Sequence, residues 1–109
     1  MLSGGNMQIR SAQKLAWDNK VAKGFNTTDV PLEFCLLQAE IAETFDAWHK
    51  GRENVGEKLA DIAIYLLSLA EMTGIDLQDQ IEAKMAKNAA RVYQRLPNGV
   101  LAKSNGDAD

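Results

Sequence analysis

Residues 59–70 read LADIAIYLLSLA, apolar at nearly every position except Asp61. The run is too short to cross a bilayer, which takes about 20 apolar residues. It shows no period-two alternation, so it reads as a helix and not as a half-buried strand. A helix that is apolar all round is buried all round. The chain has 109 residues, and at that length it buries only a modest share of its own surface. Four helices from so short a chain do not fully enclose one of their own number. The outer side of Ile62, Ile64, Leu66, Leu67 and Leu69 is therefore expected to meet a second copy. The expected fold class is all-α, with about four helices per chain and a helical bundle core completed by dimerisation. The rival reading is a snug monomer with one unusually greasy helix.

Punctuation elsewhere supports four helices. The first is expected over 8–23, stopped by Gly24. The loop GFNTTDV follows. Pro31 suits a first helical turn, with Thr28 or Asp29 before it as the cap, and a second helix runs over 31–50 to Gly51. A third starts near Asn54 and ends before Gly74. A fourth starts at Asp76, an N-cap candidate, and reaches 93–96, where Pro97, Asn98 and Gly99 break it. The expected organisation is a disordered leader over 1–7, one all-α domain over 8–96 and a flexible tail over 97–109, with Met7 as an alternative start.

Charge and cysteine usage exclude several classes. The net charge of −3 offers no broad basic face for nucleic acid. The single cysteine, Cys35, permits no internal disulfide and no zinc-type cluster, which suits a reducing cytoplasm. No signal peptide or membrane span is expected.

The candidate chemistry lies in the carboxylates. Glu40 and Glu43 are three apart on the second helix, about 60° apart around its axis. Glu57 and Asp61 are four apart on the third, about 40° apart by the same geometry. Antiparallel packing would bring the two pairs face to face. Four carboxylates together repel and resist desolvation. A hard divalent cation resolves this, and Mg2+ is oxygen-loving and commonly shared with substrate phosphates. The bland reading is solvated surface. Glu57 has a bland reading of its own: Asn54 with Glu57 resembles a capping box. Asp61 is harder to dismiss, because an idle carboxylate inside an apolar run is costly.

On the fourth helix, Leu77, Ile81, Met85, Ala89 and Val92 form an apolar face. Lys84, Asn88 and Arg91 form a stripe beside it at i, i+4 and i+7, with donors that suit phosphate. A solvated basic face balanced by Asp79 and Glu82 is the alternative.

The stretches LLQAEIAETFDAW, EKLADIAIYLLSLAEMTGIDL and KMAKNAARVY, in that order and spacing, resemble the MazG-like branch of the all-α nucleoside triphosphate pyrophosphohydrolases. The resemblance covers roughly 31–93. It implies a homodimer or tetramer that hydrolyses a nucleoside triphosphate to the monophosphate and pyrophosphate with Mg2+, in nucleotide-pool house-cleaning. It assigns Glu40, Glu43 and Asp61 as metal-binding and catalytic residues, with Glu57 as a further candidate ligand. Lys84, Asn88 and Arg91 match phosphate-binding positions. Trp48 and Tyr65 fall where related dCTP pyrophosphatases carry aromatics near the base, against a reading as ordinary packing. Trp17 and Phe25 are expected in the core or a lid.

One departure stands out. The family pattern places glutamate three residues before Asp61, and here that residue is Lys58. Glu57 is its neighbour, displaced by about 100° around the helix. Glu57 substitutes for the missing ligand, or three carboxylates suffice, or the chain is a catalytically weak or inactive nucleotide-binding module.

Overall fold

The structure, a computed structural model, describes residues 7–103. The expected leader over 1–7 lies almost wholly outside the described residues, as does the end of the expected tail. Four helices follow one another: α1 (Ile9–Lys23), α2 (Val30–His49), α3 (Val55–Met72) and α4 (Leu77–Ala90). A short antiparallel pair follows, β1 (Tyr93–Arg95) and β2 (Leu101–Lys103). The chain divides into two compact units, 1–78 and 79–109.

In the first unit α3 packs against both α1 and α2. The boundaries follow local chemistry. Gly24, with φ of 73°, ends α1, and its N–H and that of Phe25 donate to the carbonyls of Val21 and Lys20. Asp29 is the cap of α2: its Oδ1 accepts from Leu32 N at 3.0 Å, and Pro31 follows in the first turn. The capping box expected of Asn54 and Glu57 is not formed, because Asn54 makes no side-chain cap bond. Glu57 lies exposed in the first turn of α3, where negative charge suits the helix dipole.

Buried Gln13 ties α1 to the far end of α3. Its amide nitrogen donates to Glu71 Oε1 at 2.9 Å and to the Ile75 carbonyl at 2.8 Å, and its oxygen accepts from Leu77 N at 3.1 Å. Few apolar side chains are buried: among the described residues the hydrophobic core is Leu37, Ala47, Leu69 and Ala70. Phe34, Ile41, Phe45 and Trp48 of α2 stand exposed, as do Leu59, Ile64 and Leu66 of α3. The single chain leaves its greasiest helix uncovered on one side. No helix among the described residues is long and apolar enough to cross a membrane.

The second unit departs from expectation. α4 stops at Ala90, short of the expected 93–96. Tyr93 pairs with Lys103 and Arg95 with Leu101, and Leu96 N donates to the Val100 carbonyl at 2.7 Å. Pro97, Asn98 and Gly99 do break the helix, but they also turn the chain back on itself. Gly99 takes φ of 87°, and the Asn98 side chain accepts from Val100 N. The first part of the expected flexible tail is thus a hairpin.

Candidate active site

Glu40 and Glu43 project from the middle of α2, and Asp61 from the second turn of α3. Their common neighbour is Tyr65, one turn beyond Asp61. Burial, and then the negative charges of Glu40, Glu33, Asp61 and Glu43, push the Tyr65 hydroxyl above its ordinary pKa. Three of these acids, Glu33, Glu40 and Glu43, come from α2 and one, Asp61, from α3; Glu57, the fourth acid of the expected cluster, is not among them. Glu40 is half-buried, and its Oε2 is shielded from solvent with no hydrogen-bond partner among the described residues. Glu43 is exposed.

Lys58 points toward this acidic patch. Its Nζ lies 4.0 Å from Glu43 Oε1, at the outer limit of an ion pair. The pair is solvent-exposed on the Glu43 side, so it contributes little to stability. Among the described residues, no three His, Cys, Asp or Glu side chains stand assembled around a single metal position. The donor set nevertheless suits a hard cation: every ligand on offer is a carboxylate oxygen, and one, Glu40 Oε2, is desolvated and unpartnered.

Tyr65 also lines a pocket of about 290 Å³, together with Ala16, Asn19, Lys20 and Phe25, with Asn26, Glu33 and Leu36, and with Ile64 and Ser68. Its floor holds two charged residues that the sequence reading missed. Glu33 is fully buried, and its Oε2 accepts from Lys20 Nζ at 2.6 Å. Glu33 Oε1 accepts from Asn26 Nδ2 at 3.1 Å. Lys20 Nζ also lies 6.0 Å from the centre of the Tyr65 ring, within cation–π range. Phe25, expected in the core or a lid, is exposed and borders the pocket. Trp48 stands exposed near the end of α2, its ring 6.1 Å from that of Phe45.

The expected phosphate-binding stripe belongs to the second unit. Lys84 and Asn88 lie on α4, and Arg91 lies just past its last residue. Asn88 Oδ1 accepts from Arg91 Nη1 at 2.9 Å, so the two side chains act as one polar group.

The sequence pattern of the MazG-like family matches residues 32–104. A dATP/dGTP diphosphohydrolase of Cyanophage S-2L is 31% identical over 93 residues, spanning 66% of this chain and 89% of that protein. One of the same name from Salmonella phage PMBT28 is 43% identical over 63 residues, or 58% of this chain. The match spans only 20% of that longer protein's length. In fold, the chain resembles the Cyanophage S-2L MazG-like pyrophosphohydrolase, solved with dGDP and three catalytic Mn2+ ions per active site. The TM-score is 0.68 at 24% identity, covering 93% of this chain and 96% of the other. The four-helix order and the family pattern matched over 32–104 lead to one assignment: this chain belongs to the MazG-like family.

Proposed function

We propose that this chain is a pyrophosphohydrolase that splits a purine deoxynucleoside triphosphate into the monophosphate and pyrophosphate with the help of a divalent cation. The observation that carries the reading is the position of Tyr65. It lies in the field of Glu40, Glu43 and Asp61 and at the same time walls a pocket of about 290 Å³. That juxtaposition would suit a triphosphate tail at the carboxylates and a base in the pocket. The names of the phage relatives support a purine deoxynucleotide as the substrate class.

Glu40, Glu43 and Asp61 would hold the cation, Mg2+ or Mn2+, with Glu57 as a further ligand if the first turn of α3 adjusts. When bound, the cation neutralises phosphate charge and acidifies a water. A glutamate left over from metal binding accepts the proton of the attacking water. The water oxygen would bond to the α-phosphorus as the bond from that phosphorus to the α–β bridging oxygen breaks and pyrophosphate leaves. With attack at the β-phosphorus, the bond on the other side of that oxygen would break and the monophosphate would leave, the water oxygen staying in the pyrophosphate. Lys84, Asn88 and Arg91 would hold the phosphates, as donors matched to anionic oxygens. Tyr65 would border the base, whereas Trp48, near the other end of α2 from Glu33, does not line that pocket. The exposed apolar faces of α2 and α3 would be covered by further copies in a homodimer or tetramer. The setting would be the cytoplasm, and the role nucleotide-pool house-cleaning.

The test is incubation of the purified chain with each canonical and modified nucleoside triphosphate plus Mg2+ or Mn2+, with pyrophosphate as the readout. Release from purine deoxynucleotides is the expected result. A folded chain that turns over none of them overturns the enzyme reading. The contact between Lys58 and Glu43 favours a second reading, a binding module whose lysine silences catalysis. Nucleotide binding without turnover in the natural chain, with turnover gained in Lys58→Glu, would establish it.

A further inference from the structure

The pocket floor contains a buried charge pair, Lys20 of α1 with Glu33 of α2, that takes no part in the proposed metal binding. Lys20 and Glu33 are both buried, and burying two charges is costly unless their groups are well bonded. The hydrogen bonds around them show which polar groups remain for a ligand. Asn26 has none to spare: its nitrogen donates to the Asp29 carbonyl and to Glu33, and its oxygen accepts from the backbone of Thr28 and Asp29. Both oxygens of Glu33 are engaged, and none of its side-chain surface is exposed. Lys20 differs. An ammonium has three donors, and the hydrogen bond to Glu33 uses one. The Asn19 amide and the Ser68 and Tyr65 hydroxyls also line the pocket, but each donates and accepts alike, so none of them discriminates between bases.

The fixed polar character of the floor is therefore that of a cation donor. Guanine presents two adjacent acceptors, O6 and N7, to such a group, whereas adenine presents an amino donor beside N7. We propose that Lys20 is a specificity-determining residue that selects a 6-oxopurine base over adenine, with Glu33 as the positioning residue that fixes Lys20 in the pocket floor. The proposal rests on the reading that this pocket receives the base.

Calorimetry tests it without turnover. The full chain with Mn2+ is titrated with the deoxynucleoside diphosphates of guanine, hypoxanthine and adenine. The guanine and hypoxanthine ligands are expected to bind alike, and about tenfold more tightly than the adenine ligand, the ratio expected from one good hydrogen-bonded contact. Lys20→Arg should keep the preference. The double change Lys20→Met with Glu33→Leu removes both charges together and should bring the ratio close to one. Equal binding of the adenine and guanine ligands by the natural chain overturns the proposal while leaving the base pocket intact. A preference that persists in the folded double variant does the same. Failure of a folded chain to bind any of the three overturns the base-pocket reading along with it.

Discussion

Lys20→Met alone would leave the Glu33 carboxylate buried without its cation. Breaking a buried pair in this way costs about 3–5 kcal/mol, so chemical denaturation should show a large loss for the single change, and Glu33→Leu in the same chain should restore much of it. Tyr65 gives a second prediction at the residue scale. Its hydroxyl titrates above the ordinary value of 10.0 because of burial and the surrounding acids. The folded state thus holds the proton longer than the unfolded chain does. The associated stability is complete below pH 10 and is lost as pH climbs from there toward the folded value. Tyrosinate absorbance should show one late-titrating group that Tyr65→Phe removes. Adding Mg2+ or Mn2+ should shift it back toward the ordinary range, because positive charge at Glu40, Glu43 and Asp61 cancels part of the field. The sequence made the acids legible at this scale, through helical spacing and the cost of Asp61 in an apolar run. It hid Glu33, because a glutamate in the first turn of a helix reads as a dipole partner. Its real partner is Lys20, on another helix, which no periodicity connects to it.

At the scale of elements, capping chemistry explains most boundaries. Asp29→Ala should destabilise the fold by about 1 kcal/mol, read from the denaturation midpoint, because Leu32 N would lose its acceptor. Glycine stops after α1, α2 and α3 are local signals, and they were readable in the sequence. The capping box at Asn54 was not, since the motif specifies residue types and not the backbone geometry the cap needs. The end of α4 was misread for a different reason. Helical spacing continues through Val92, but the turn at Pro97 to Gly99 lets Tyr93–Arg95 pair with Leu101–Lys103. Hydrogen bonds across a hairpin outweigh a marginal last helical turn.

At the scale of the whole molecule, the exposed apolar faces of α2 and α3 require cover. Leu66 is 46% exposed and Phe45 62%, more than isolated surface hydrophobics explain when they recur along two packed helices. Sedimentation should find the chain with at least one further copy. Leu66→Glu should shift it toward the monomer and weaken the rise of melting temperature with protein concentration that an oligomer shows. An unchanged mass in the variant would remove α3 from the interface. That one chain would leave a side of this helix uncovered was legible from residues 59–70 alone, by comparing one greasy helix with the length of the chain. What would cover it was not, because pairing between copies leaves no local trace in the pattern.

The pair of charges under the pocket also bears on time. Lys20 and Glu33 are separated by 13 residues, whereas Gln13 reaches across 64 residues to Leu77. Closing the short loop loses less chain entropy, so α1 and α2 can meet early in folding. The expected order of refolding is the Lys20–Glu33 pair first and the docking of α3, which carries Asp61 and Tyr65, after it.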